Sequence, residues 1–191
     1  VLDGDVILRD TTLDLAPLLS TGVIEQLESS SLLSARVFRV PKSDQETSRF
    51  IFDGRKFDDV FHTAIGKPPD LPLPLITDVI DSILSGYSII SSNDAKSMFF
   101  QFRVNHELSR FFAFRAAHGR RGQFQRYCLR ALPMGICFAP TWAQHVSTYL
   151  ANVVRHRCRH IRFSIIVWID NFIILSNSVA DDFEIRRVFD E

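Results

Sequence analysis

Cysteine is scarce. The chain has three among 191 residues, Cys128, Cys137 and Cys158, with no CxxC pair and an odd total, which argues against a disulfide framework. His156, Cys158 and His160 lie close together, but three near-adjacent ligands flanked by arginines make a poor tetrahedral zinc site. A basic surface segment is the plainer reading. Long hydrophobic runs are also missing. The longest, Ile165 to Leu175, is interrupted by Asp170 and Asn171 and falls short of the ~20 residues that a membrane-spanning helix needs. Residues Val1 to Asp10 alternate acidic and apolar, unlike a signal peptide. The chain therefore reads as soluble and intracellular, in cytoplasm or nucleus, without a membrane partner. It has no internal repeat and no flexible interdomain linker.

Net charge is absent as well, at 22 basic against 22 acidic residues, but the charges are segregated. Residues 1–93 hold 8 Lys and Arg against 14 Asp and Glu, residues 94–162 hold 12 against 2, and residues 163–191 hold 2 against 6. A local basic block attracts polyphosphates whatever the overall charge. It is equally compatible with a solvated face whose counter-charges come from the acidic ends. Hydrophobic residues make up 46% of the chain, enough for a substantial core.

The apolar spacing over 12–35 predicts short helices broken at Gly22 and at the serine run 29–31. Residues 36–40 alternate, 41–48 are polar and turn-like, and 49–52 read as the returning strand of a hairpin with a charged tip. The proline-rich stretch 66–74 is a connector. Thr77 is expected to cap a helix that ends at Gly86. Residues 88–92 predict a strand running into Asp94. The aromatic-rich segments 99–104 and 111–115 read as strands, as does 127–132, which stops at Pro133. Residues 141–155 have helical spacing. Residues 165–169 and 172–175 predict two strands around a tight turn at Asp170-Asn171, and a helix begins at 181.

Two acids sit in unusual places. Asp94 follows an apolar strand, and Asp170 lies at a hairpin tip inside the most apolar stretch. An ionised carboxylate in such a setting needs a cation or a metal, unless it caps a turn and points to water. If both strands share a sheet, the carboxylates converge, and oxygen ligands on two segments suit Mg²⁺. Lys42 and Arg49, on the two arms of the early hairpin, could reach one anion or could serve solubility. In Leu132-Pro133-Met134-Gly135, proline and glycine fix a bend, and the glycine lets a flat ligand approach the backbone.

Taken in order, these segments resemble the reverse transcriptases of long-terminal-repeat and related retrotransposons. Val40-Pro41-Lys42 through Arg49-Phe50-Ile51-Phe52-Asp53-Gly54-Arg55 is similar to the family's fingers hairpin, and Leu73-Pro74-Leu75-Ile76 to its PLP connector. Asp94-Ala95-Lys96-Ser97-Met98-Phe99-Phe100-Gln101 resembles the first catalytic motif, DLKSGYHQ, and Ala113-Phe114-Arg115 the AF strand. Leu132-Pro133-Met134-Gly135 with Ala139-Pro140 and Gln144 resembles LPFGL…AP…FQ, and Trp168-Ile169-Asp170-Asn171 resembles YVDD.

The resemblance implies an α+β right-hand polymerase with an antiparallel palm sheet and packed helices. Residues 1–35 would form a helical lead-in, 36–93 mainly fingers with connector, and 94–191 mainly palm. It further implies template-directed DNA synthesis with two Mg²⁺ or Mn²⁺ ions held by Asp94 and Asp170, assisted by the Ala95 backbone carbonyl and Asn171. Lys42 and Arg49 would grip the triphosphate of an incoming dNTP, and Phe99 would gate its sugar. Met134 and Gly135 would flank the new base pair. Gln144 and Arg55 would meet the nucleic acid. The implied partners are an RNA or DNA template-primer, dNTPs, and a thumb and RNase H domain beyond this stretch.

The chief departure is Asn171, where the family has a second aspartate. An amide oxygen still ligates a cation but carries no charge. Negative-strand RNA virus polymerases likewise have Asn after the key Asp. A non-catalytic scaffold that binds nucleic acid or protein is the alternative from another class. An RNA-dependent RNA polymerase is a third, disfavoured by Phe99 at the gate position.

Overall fold

The computed structural model describes residues 15–28, 33–41, 48–118 and 123–191. Pro17 in its first turn favours a short helix, α1 (Ala16–Ser20), and Gly22 at φ 66° reverses the chain behind it. The second short helix expected beyond Gly22 is replaced by a strand, β1 (Ile24–Gln26). Val23 and Ile24 are β-branched, and pairing with a distant strand outweighs the local periodicity. The expected hairpin forms from β2 (Arg36–Pro41) and β3 (Ser48–Asp53), in register from Arg36 opposite Asp53 to Pro41 opposite Ser48. Its charged tip lies outside the described residues.

A further helix, α2 (Arg55–Ile65), carries Phe57, Val60, Phe61, Ala64 and Ile65 at helical spacing and buries Phe57. Helix α3 (Ile76–Leu84) starts one residue before Thr77. The cap is made instead by Asp78, whose carboxylate accepts the Leu75 N–H at 3.3 Å. Strand β4 (Ile89–Asp94) carries Asp94 as its last residue. Residues 99–104 are not a strand. Ser97 turns the chain at φ 54°, the Met98 N–H bonds the Ala95 carbonyl at 3.2 Å, and α4 (Met98–Gln101) follows. Burial of Met98 and Phe99 overrides the β-preference of the aromatic residues.

Asn105 caps α5 (His106–Ser109) by accepting the Leu108 N–H at 2.7 Å. Strands β5 (Ala113–His118) and β6 (Gln123–Leu129) follow. Pro140 lies in the first turn of α6 (Ala139–Arg157), whose last turn carries Arg155, His156 and Arg157, favourable against the helix dipole. The chain then forms β7 (Phe163–Trp168), β8 (Asn171–Ser176) and α7 (Val179–Asp190), the last capped by Ser178. Helices mixed with antiparallel sheets make this an α+β fold. Among the described residues no helix is long and apolar enough to cross a membrane.

The chain divides into two compact units, residues 1–66 with 99–136 and residues 67–98 with 137–191. In the first, the sheet runs β1-β6-β5. The β2–β3 hairpin joins β5 through the Ala35 N–H on the Ala113 carbonyl at 2.8 Å. Its core is aromatic. Phe52, Phe112, Phe114 and Tyr127 are essentially inaccessible, with Phe52 edge-on to Phe112 and Phe114 stacked on Tyr127. Each such ring contributes about 1.5–3 kcal/mol by leaving water. In the second unit the sheet runs β4-β8-β7, and its core is mainly aliphatic: Ala151 and Val154 of α6, Ile185 of α7, and Ile165, Val167, Phe172 and Ile174 of the strands.

Candidate active site

The second unit brings the two acids together by strand register. Asp94 pairs with Asn171, and Asn171 with Trp168, so one rung across β4, β8 and β7 reads Asp94–Asn171–Trp168. All three side chains are exposed, whereas Phe172 and Val167 in the next rung are buried on the opposite face. Asp170 is half-buried at the tip of the β7–β8 turn. Its carbonyl accepts the Ala95 N–H at 2.8 Å, which ties the end of β4 to that tip. The Asn171 amide donates to Asp170 Oδ1 at 3.1 Å. Ser92, Asn93, Asp94, Arg186 and Asp190 line an open cavity of about 290 Å³ beside the acid on β4.

The turn sits one residue earlier than the sequence suggests. Trp168 and Asn171 are already paired, which leaves Ile169 and Asp170 as the two-residue loop. Ile169 takes φ 56°, a left-handed value that β-branched residues avoid. Its backbone is held from α6. Gln144 Oε1 accepts the Ile169 N–H at 2.6 Å, Gln144 Nε2 donates to the Val167 carbonyl at 3.1 Å, and Ser147 Oγ donates to the Ile169 carbonyl at 2.5 Å. Gln144 and Ser147 are 2% and 0% exposed, so these bonds are made away from competing water. Ser147 and Ile169 escape a reading of sequence. The only trace is a polar pair, i and i+3, on the buried face of a helix.

The donor set fits a hard divalent cation. Two carboxylates, a neighbouring amide oxygen and the Ala95 carbonyl lie on two adjacent chain segments, and Mg²⁺ is held by one or two carboxylates with waters and phosphates. The Ala95 carbonyl accepts the Met98 N–H and keeps a second lone pair. Among the described residues no group of three or more His, Cys, Asp or Glu side chains gathers as a metal cluster. The candidate centre is therefore a two-carboxylate one.

The remaining expected residues belong to the first unit. Lys42 lies outside the described residues. Arg49 pairs through its backbone with Val40, and its side chain is likewise outside. Arg55 forks onto Asp53, with Nε at 2.8 Å and Nη2 at 2.6 Å from its oxygens. That hydrogen bonding holds the Asp53 carboxyl below its usual range and raises the guanidinium. Phe99 is 8% exposed. Gly135 takes φ 127°, and a Cβ there would collide with the Phe52 carbonyl oxygen; a Cβ on Gly54 would collide with the Gly135 carbonyl and lie 2.6 Å from Ile136 Cγ2. The close approach that Gly135 permits is thus, in the first place, that of β3 to its own loop.

Residues 40–190 match the family model described as reverse transcriptase (RNA-dependent DNA polymerase). No curated protein matches the chain.

Proposed function

Because the match spans well over half of its length, the chain belongs to the reverse transcriptase (RNA-dependent DNA polymerase) family, and we propose that it copies an RNA or DNA template into DNA as part of a retrotransposon enzyme. The observation that carries this reading is the register that sets Asp94 against Asn171 and binds the Ala95 N–H to the Asp170 carbonyl. It gathers both carboxylates at one end of an open sheet face. Asp94 and Asp170 would hold two Mg²⁺ or Mn²⁺ ions, with the Ala95 carbonyl and the Asn171 oxygen as neutral ligands. The ions, when bound, supply Lewis acidity for nucleotidyl transfer. The protein's own part is to hold Asp170 through the Gln144–Ser147 clamp on Ile169, to hold Asp94 through the β4–β8 ladder, and to leave the Asp94–Asn171–Trp168 rung open to a primer end. In the transfer, the primer 3′-oxygen bonds to the α-phosphorus of a dNTP, the bond to the bridging oxygen breaks, pyrophosphate leaves and the hydroxyl proton passes to water.

On this reading residues 36–93 serve mainly as fingers with connector and residues 94–191 mainly as palm, with Lys42 and Arg49 toward the triphosphate, Phe99 toward its sugar, and Met134 and Gly135 toward the base pair. A thumb and an RNase H domain would be partners in the full protein. The test is primer extension on an RNA template with dNTPs and Mg²⁺ or Mn²⁺ by the full protein. Extension is expected, and it is expected to vanish in Asp94→Ala. Extension unchanged in that variant sinks the assignment.

One observation favours a second reading. Asn171 is neutral where the family has a second carboxylate, and its amide donates to an oxygen of Asp170. A scaffold that binds nucleic acid independently of metal follows if neither ion supports extension and Asn171→Asp does not restore it.

A further inference from the structure

The basic block divides on inspection. Arg103 donates to the carbonyls of Thr21 and Gly22, Arg130 pairs with Glu25, Arg155 donates to the Ile165 carbonyl and Arg162 to the Ser85 carbonyl. These four are tied into the fold. Arg115 and Arg126 are different. They face each other directly across β5 and β6. Like charges in that position repel and destabilise a sheet unless something anionic lies over them. Among the described residues neither guanidinium has an ion-pair partner. Of the described acids of the same unit, Glu25 pairs with His106 and Arg130, and Asp53 with Arg55.

Two residues further along both strands, hence on the same face, Ala117 pairs with Phe124. Phe124 is 56% exposed, and the small Ala117 leaves its ring uncovered. The other face of the hairpin is packed by Phe114, Ala116 and Tyr127, so the arginine rung and the ring are held on a rigid support. The rungs are about 7 Å apart. A phosphate gripped by the forked guanidiniums leaves an adjoining base within reach of the ring.

We propose that the outer face of the β5–β6 hairpin binds single-stranded nucleic acid, with Arg115 and Arg126 on the phosphate backbone and Phe124 stacked on a base. This deepens the polymerase reading and rests on it only in identifying the strand as template. Stacking on an exposed ring tolerates any base, as copying an arbitrary template requires.

The test is fluorescence anisotropy of a labelled 12-nucleotide single strand with the full protein, in EDTA, at several salt concentrations. The Arg115→Gln/Arg126→Gln double variant is expected to bind at least tenfold more weakly. Its plot of log affinity against log salt should be shallower by about 1.4, the share of two phosphates on a single strand. Phe124→Ala is expected to weaken binding about fivefold or more with the slope unchanged. Both variants should melt no earlier than the parent, because Arg115 and Phe124 are exposed, Arg126 is half-buried, and the double variant removes a repulsion. Parental slope and affinity in the double variant, or no binding by the parent at low salt, overturns the proposal. Primer extension run alongside separates the two readings. Full extension with unchanged binding removes this surface and keeps the polymerase, whereas lost binding in a protein that extends nothing keeps the surface and removes the polymerase.

Discussion

Ile169 adopts a backbone conformation that costs a β-branched residue on the order of 1–3 kcal/mol. It persists because Gln144 and Ser147 give its N–H and carbonyl buried partners. Gln144 shows what a motif match alone leaves out. The resemblance suggests contact with nucleic acid, yet both ends of its amide are used inside the protein. Gln144→Ala strands an N–H and a carbonyl and is expected to lower unfolding free energy by about 2–4 kcal/mol, with Ser147→Ala costing about 1 kcal/mol, both read by urea denaturation. The salt slope of nucleic-acid binding should not change in Gln144→Ala; a shallower slope would mean that the side chain reaches the backbone of the strand after all. The cysteines give a second residue-level expectation. Burial pushes the Cys128 thiol up to about 11, and Cys158 and Tyr127 are raised for the same reason. A folded-state value above the unfolded one means that the native protein holds the proton longer. The associated stability is fully present below the unfolded value of 9.0 and is lost as pH rises toward 11. Unfolding free energy is therefore expected to fall over that window, and to fall less steeply in Cys128→Ala. At pH 8 in the native state, half-buried Cys137 should react with iodoacetamide before Cys128 or Cys158.

Between elements, two glycines do what no side chain could. Gly54 ends β3 against the Gly135 carbonyl, and Gly135 meets the Phe52 carbonyl, so the hairpin and the loop after β6 lock backbone to backbone. Gly54→Ala or Gly135→Ala is expected to cost about 3 kcal/mol or more, because backbone must move. Gly86→Ala, at φ 82° with nothing within 4 Å, should cost only about 1–2 kcal/mol. Equal losses at all three positions in urea melts would show that conformation, and not contact, sets the effect. A second junction joins α7 to β4. Asp182 accepts from Ser91 Oγ at 2.5 Å, and Arg186 donates to the Ser92 carbonyl at 3.3 Å, two residues short of Asp94. Where period or punctuation carries the information, elements are legible from sequence. The β2–β3 alternation and the spacing of α6 stand where they were expected, and the strands either side of Asp170 form with their turn one residue earlier. Elements decided by distant partners are not. β1 exists because Ile24 pairs with Leu129, and α4 replaces a strand because Met98 and Phe99 turn into a core. The two carboxylates of the candidate site stand out for the same reason as the strands, since Asp94 and Asp170 each end or interrupt an apolar run. The clamp on Ile169 does not, because a left-handed isoleucine leaves no mark in composition.

At the scale of the whole molecule, chain order and spatial order diverge. The first unit draws on residues 1–66 and 99–136, and the second on 67–98 and 137–191, so each is assembled from two separate stretches. The family resemblance implies a division at 93/94, fingers with connector before it and palm after it, within one domain. Strand pairing crosses that position. β4 pairs with β8 from Asp94–Asn171 to Ile89–Ser176, and β1 pairs with β6 from Ile24–Leu129 to Gln26–Tyr127. Both candidate carboxylates depend on the first of these ladders, which spans more than seventy positions of the chain and must close its intervening loop before any contact rewards it. A split near the middle therefore deprives both units at once. Fragments 1–98 and 99–191, made separately, are each expected to lack near-UV circular dichroism and a cooperative melt. Fragment 1–98 keeps β1 and β4 without β6 and β8, and fragment 99–191 keeps β6 and β8 without those partners. Mixed at equal concentration they should regain a cooperative transition whose midpoint rises with protein concentration, as association linkage requires. Either fragment melting cooperatively alone would mean that one unit is complete within a single stretch, and that Asp94 reaches Asp170 by docking of preformed parts and not by a shared sheet.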